Sequence, residues 1–270
     1  MLIRHFFPAP VLRDSIASYL YYQDSGEFAG ARLLSVPSGM PEIAIHFGSE
    51  VNSHLNHPGE LKQAYVFGSH NEPGIFQSTG PVGFFGILFK PAGITTTLGI
   101  PQQEFRNVAV NLEDITEARG GELADRICSA RGPEEMARAA DNYFLRLRKR
   151  QMESNAYIAN AVSRIINSGG SEKIKSIAGW LDINTKTLER KFQKYIGYSP
   201  KEFSKVVRFN YAYKLLKNGI DPLDVVCRCG YFDQPHLNNE ISKYTGVTPR
   251  VIATDQNRSF FLNRVYVTEE

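Results

Sequence analysis

The chain has 270 residues, with 31 Lys/Arg against 28 Asp/Glu and 42% hydrophobic residues. That balance excludes a disordered or fibrous protein, and no apolar run approaches the roughly 20 residues of a membrane helix. Three cysteines, Cys128, Cys227 and Cys229, exclude a disulfide framework; with no secretory apolar stretch of usual length at the start, they predict a reducing, cytoplasmic setting and no membrane partner.

In chain order, Val11 to Tyr22 reads as a short helix passing into a strand, with Leu12, Ile16 and Leu20 on one face. Short β-prone runs follow at 33–36, 42–47, 64–67, 75–77 and 82–89. Turn residues such as Pro37-Ser38-Gly39, Glu72-Pro73-Gly74 and Thr79-Gly80-Pro81 separate them, which predicts an antiparallel sandwich or barrel. A brief helix is expected from Pro91 to Leu98, then longer ones at 112–130 and 133–149. In the last, Met136, Ala140, Tyr143, Phe144 and Leu147 recur at helical spacing; they pack either on the chain's own sheet or on a second copy in a homodimer. The polar step at 150–154 divides a domain at 1–150 from one at 151–270, and a helix at 155–166 opens the second.

From Ile174 to Pro249 one plan is written twice. Ile174, Ile177, Ala178 and Leu181 precede a break at Asp182-Ile183-Asn184, and Leu188, Phe192 and Ile196 lead to Gly197. Leu223, Val225, Val226 and Cys229 precede Gly230-Tyr231-Phe232-Asp233, and Leu237, Ile241 and Tyr244 lead to Gly246. A short helix, a tight turn and a helix ending in Gly is a helix-turn-helix, and two joined by a helix can reach successive major grooves of double-stranded DNA. Charge supports the first copy: residues 1–150 carry 14 basic and 16 acidic side chains, 151–270 carry 17 and 12, and seven basic side chains against two acidic lie between Lys186 and Arg208. Such a run is either a solvated face or, on a recognition helix, a phosphate-binding surface. The second copy has three basic and four acidic residues over 221–250. It either reads bases with few phosphate contacts or mainly shapes the domain.

These residues carry a resemblance. Leu188-Glu189-Arg190-Lys191-Phe192, Gly197-Tyr198-Ser199-Pro200-Lys201-Glu202-Phe203, Arg208, Ala212, Leu215-Leu216, Gly230-Tyr231-Phe232-Asp233-Gln234 and Tyr244-Thr245-Gly246-Val247-Thr248-Pro249 resemble, in order and spacing, the DNA-binding domain of AraC/XylS-family transcription regulators. The family usually has Ser-Tyr-Phe and a basic residue where this chain has Pro235-His236-Leu237 and Asn238-Asn239-Glu240. The segments 36–42, 66–68 and 85–91 are similar to the cupin-like sensor domains of many such regulators, which bind a small effector or dimerise. The resemblance implies an α+β chain of two domains: a β-rich cupin-like barrel or sandwich with flanking helices, then an all-α domain with two helix-turn-helix units. It implies promoter DNA, a small-molecule effector, a second copy of the chain and, for an activator, RNA polymerase as partners.

With Leu188, Phe192 and Ile196 inward, helical spacing turns Lys186, Glu189, Arg190 and Gln193 outward as base-reading candidates, Arg190 foremost. Gln234, His236, Asn238 and Asn239 are their counterparts in the second copy, while Lys191, Lys194 and Lys201 suit phosphates. Trp180 is expected to pack, and Cys227 and Cys229 to be buried thiols. Tyr22, His46 and Lys90 are candidate polar groups of an effector pocket inside the sheet, against the plainer alternative of core or surface residues. His46 stands alone, and His54 and His57 flank a loop without the His-x-His and carboxylate of a cupin metal site, so no metal or cofactor is expected. A cupin enzyme would need that metal, and a DNA-repair methyl acceptor would need early cysteines; neither is legible.

Overall fold

The computed structural model describes residues 2–26, 29, 32–49, 51–53, 63–116, 118–148, 156–254 and 261–262. His54, His57, the step at 150–154 and most of the tail lie outside the described residues.

Among the described residues ten strands form two sheets: β1 (Leu2–Phe6), β2 (Ile16–Gln23), β3 (Arg32–Ser35), β4 (Glu42–His46), β5 (Val51–Ser53), β6 (Ala64–Phe67), β7 (Gly74–Ser78), β8 (Gly83–Phe89), β9 (Ala109–Asn111) and β10 (Phe261–Leu262). The larger sheet has the order β1-β2-β8-β4-β6-β9 and is antiparallel throughout. The smaller has the order β10-β3-β7-β5, in which β10 joins β3 in parallel and brings part of the tail back onto the body.

Alternation along the strands explains why the larger sheet is covered on both faces. Tyr19, Tyr21, Ile43, Ile45, Val66, Phe85, Ile87 and Phe89 share one core with Leu123, Ile127, Met136, Ala140, Tyr143 and Phe144 of the helices α3 (Ala118–Cys128) and α4 (Pro133–Arg148). The apolar stripe of α4 therefore packs on its own sheet. Leu20, Tyr22, Phe84 and Leu88 point the other way and form a second cluster. On this face Phe67 meets Phe76 of β7, with ring centroids 5.4 Å apart. Each fully buried Phe or Ile contributes about 1.5–3 kcal/mol.

The helix expected at 112–130 is two helices, α2 (Leu112–Thr116) and α3. Gly120 lies where a Cβ would stand 2.8 Å from the Leu112 backbone, so the close return of α3 onto α2 needs a glycine there. The helix α1 (Gly93–Leu98) and the 3-10 turn Gln102–Phe105 leave the sheets toward the second domain.

That domain consists of α5 (Ala156–Asn167), α6 (Ile174–Trp180), α7 (Thr185–Ile196), α8 (Pro200–Lys217), α9 (Pro222–Cys229), α10 (Gln234–Thr245) and α11 (Pro249–Thr254). Its first core gathers Ile158, Ala161, Ile177, Leu188, Phe192, Ile196, Phe203 and Val206. Its second gathers Phe209, Tyr213, Leu216, Val225, Leu237, Ile241 and Tyr244. The helix α8 serves both cores and is buried on most of its circumference, so its sequence shows little of the one-sided apolar stripe seen on α7. Val36, from the turn after β3, is buried in the second core, so the two halves interlock.

Candidate nucleic-acid interface

The first helix-turn-helix is α6, a turn and α7. Asp182 adopts φ +54° in the turn, and the Asn184 side chain accepts the Thr187 amide to start α7. Gly197, at φ +76°, ends it. Between these caps Leu188, Phe192 and Ile196 are buried, while Lys186, Glu189, Arg190 and Gln193 are exposed along the opposite face. Lys194 and Lys201 are exposed; Lys191 is half-buried.

The second unit repeats the plan with α9 and α10. The Asp221 side chain accepts the Leu223 amide, Gly230 closes α9 at φ +68°, and Asp233 caps α10 by accepting the His236 amide at 2.8 Å. Gln234 and Asn239 are exposed, whereas His236 and Asn238 are half-buried. Their access to a base edge is narrower than that of the first unit's residues.

The two recognition helices are fixed through α8, whose 18 residues span about 27 Å at 1.5 Å per residue. Ser199 and Glu202 form a reciprocal capping box at its start. At its middle Arg208 reaches α10: Nε and Nη2 donate to Glu240 at 3.1 and 2.5 Å, and the Tyr231 hydroxyl donates to the same carboxylate at 2.7 Å. The guanidinium lies 4.6 Å from the Tyr231 ring centre. Burial would lower the Arg208 pKa, but the bonds to and charge of Glu240 outweigh it and leave the guanidinium above its usual value. The sequence reading did not single out Glu240, although its place three residues after Leu237 and four before Tyr244 puts it on the inward face of α10.

What the sequence did not reveal is a seam between the halves. Gln102 Nε2 donates to the carbonyl of Tyr195, in the last turn of α7, and to that of Pro91. The Tyr198 hydroxyl donates to the His70 carbonyl at 2.5 Å, and Asn210 Nδ2 to the Ser38 carbonyl at 3.2 Å. Arg106 Nη2 donates to Glu202 at 2.5 Å. Burial pushes the Glu202 carboxyl up, but hydrogen bonds from Ser199 and Arg106 hold it below the usual carboxylate range. A Cβ on Gly197 would stand 2.1 Å from Ser69 Oγ. The seam thus grips the exit of α7 and the start of α8, while Lys186, Glu189, Arg190 and Gln193 stay uncovered. Among the described residues, Ser69 Oγ, Gln102 Oε1 and Asn210 Oδ1 are buried there without hydrogen-bond partners.

In the first half, Tyr22 is buried between the sheets with its hydroxyl donating to Asp24 at 3.0 Å. His46 Nε2 bonds the Tyr65 hydroxyl at 2.8 Å, and the two rings stack. Burial lowers the His46 pKa to about 4, so the ring is neutral near pH 7. Lys90 does not join them. It follows the last residue of β8, where alternation ends, and its side chain is exposed. Trp180 is likewise outside the core: it is 55% exposed, with the Arg164 guanidinium 4.6 Å from its ring centre. Cys229 is buried, but Cys227 is exposed. Among the described residues no three His, Cys, Asp or Glu side chains gather as a metal site requires. A surface cleft of about 340 Å³ is walled by Arg126, Asn142, Leu145 and Arg146 of α3 and α4, not by the sheets.

Two helix-turn-helix units share one connecting helix, behind a helix-backed β-sandwich. Residues 177–254 match a helix-turn-helix domain family, and residues 4–111 match a domain of unknown function. The chain is 31% identical over 78 residues to the HTH-type transcriptional regulator GbdR of Pseudomonas aeruginosa, covering 28% of this chain and 21% of that one. It is 33% identical over 64 residues to the uncharacterized HTH-type transcriptional regulator YbfI of Bacillus subtilis, covering 24% and 22%. The chain thus spans about a fifth of the length of these curated relatives. Among solved structures, ToxT of Vibrio cholerae aligns over 86% of this chain and 95% of its own, with 11% identity and a TM-score of 0.48. An AraC-type regulator from Chromobacterium violaceum aligns over 36% and 89%, with 24% identity and a TM-score of 0.35.

Proposed function

We propose that the protein is a sequence-specific transcription regulator that lays α7 and α10 into successive major grooves of promoter DNA. The exposed row Lys186, Glu189, Arg190 and Gln193, opposite a fully buried Leu188, Phe192 and Ile196, carries this reading. Arg190 and Lys186 suit guanine, Gln193 suits adenine and Glu189 suits cytosine. Lys191, Lys194 and Lys201 position the helix on phosphates. Gln234, His236, Asn238 and Asn239 read the second half-site. The division falls at 1–150 and 151–270, in a cytoplasmic protein that acts as a homodimer and, if an activator, meets RNA polymerase.

The first domain binds a small effector between its sheets, with Tyr22 and His46 as polar groups; exposed Lys90 is no longer among them. Binding there shifts the seam at Gln102, Tyr198 and Asn210. Its unpartnered buried polar atoms support this: each costs about 1–3 kcal/mol, so the docked arrangement competes closely with others. The second reading, a first domain that only dimerises, is favoured by the Tyr22–Asp24 pair, made without a ligand; the His46–Tyr65 bond leaves His46 Nδ1 buried without a partner, which favours the first.

Selection of bound duplexes from a random pool by the full chain tests the reading. A reproducible bipartite site supports it, and recovery of unrelated sequences contradicts it. Thermal unfolding against a metabolite library separates the two versions, since an effector at 100 times its Kd adds about 2.7 kcal/mol.

A further inference from the structure

The turn into α10 carries an apolar side chain for which the fold has no use. Tyr231 points inward and bonds Glu240, whereas Phe232 beside it is 91% exposed, more than any other large hydrophobic among the described residues. A hydrophobic residue just before a helix cap ordinarily packs back onto the fourth helical position. Here that position is Leu237, already fully buried, and Phe232 stands away from it. Its backbone is nonetheless held in place: its amide faces His236 Nδ1 at 3.4 Å, and Asp233 next to it caps the helix. The ring is presented on a fixed support at the leading end of a recognition helix, the part of such a helix that meets base edges.

The charge around it narrows what the ring meets. No Lys or Arg occurs from Gly230 to Ser242, so this end of α10 has no cation of its own for phosphates. In the major groove the bases offer one apolar group, the C5-methyl of thymine. We propose that Phe232 is a specificity-determining residue that packs on a thymine methyl in the second half-site, so that this half-site is read by apolar contact more than by charge. This rests on the DNA-binding function proposed above and gives it a base.

The test uses the full chain and the bipartite duplex obtained by selection. Each thymine of the second half-site is replaced in turn by deoxyuridine, which removes only the methyl group. At one position the wild type should lose about fourfold in affinity, the worth of one buried methyl. Phe232→Ala should bind the unmodified duplex at least that much more weakly and be indifferent to deoxyuridine there; Phe232→Leu should keep part of the discrimination. The thermal unfolding of both variants should match the wild type, since the ring buries nothing in the fold. A wild type indifferent to every such replacement, a Phe232→Ala protein that still discriminates, or a variant with lowered thermal stability overturns the proposal. Failure to select any sequence at all removes the DNA-binding reading along with it.

Discussion

Removing Glu240 should unfasten the second recognition helix. Its side chain is 8% exposed and that of its partner Arg208 is 17% exposed, so solvent screens the pair little. Glu240→Ala strands the guanidinium between α8 and α10 and leaves the Tyr231 hydroxyl without its acceptor. Breaking one side of a buried ion pair costs about 3–5 kcal/mol, a large part of the 5–15 kcal/mol that holds a domain together. Replacing both partners, as in Arg208→Met with Glu240→Leu, removes the stranded charge and should return to within about 1–2 kcal/mol of the wild type. Urea unfolding followed by circular dichroism measures the cost, and hydrogen exchange of the α10 amides locates it. A Glu240→Ala protein within 1 kcal/mol of the wild type, or a double variant no better than the single, would refute the assignment of Arg208–Glu240 as the bolt between the two units.

Four further outcomes follow from the geometry. Arg190→Ala should lower affinity for the selected site by about 1–3 kcal/mol while nearly sparing random DNA; equal losses in a titration of both duplexes would demote it to a phosphate contact. Lys194→Ala should reduce the slope of log affinity against log salt by about one, and an unchanged slope would remove it from the phosphate set. Gly197→Ala should destabilise the full chain by about 1 kcal/mol for the left-handed backbone and by more for the contact with Ser69, the second part being recovered by Ser69→Gly in thermal unfolding. Burial lowers the His70 pKa to about 4, against an ordinary value of 6.5. The unfolded chain takes up that proton first, so stability should fall as pH drops from 6.5 toward 4, by up to about 3 kcal/mol. His46 titrates in the same window, so His70→Gln should remove about half of the slope in a pH titration of unfolding, and His46→Gln the rest.

The helix-turn-helix half was the more legible because its signals are local. The inward positions of α7 and α10 follow from a spacing of three and four, and the caps are single residues at the ends, Asn184 and Asp233 before and Gly197 and Gly246 after. The strands β2, β4, β6 and β8 were marked by β-branched and aromatic residues between turn signals. The strand β1 was not, since four of its five residues are exposed and only pairing with β2 makes Leu2–Phe6 extended. The seam was illegible for a different reason. Gln102, Ser69 and Asn210 look like ordinary loop or helix polar residues, and only the approach of segments about 100 or more residues apart makes them partners. Lys90 misled because it directly follows a fully buried strand, and the chain turns outward at that residue. Phe232 stood in plain view, but a sequence does not say which of two adjacent aromatic residues faces in.

The account rests on two recognition helices held at a fixed separation by α8. Hydroxyl-radical footprinting of the full chain on a selected duplex tests this most directly. It should give two protected patches on one face of the DNA, centred one helical turn apart, about 10–10.5 base pairs, with the outer patch on the second half-site weakened by Glu240→Ala. A single patch, or two whose spacing varies from one selected duplex to the next, would contradict it.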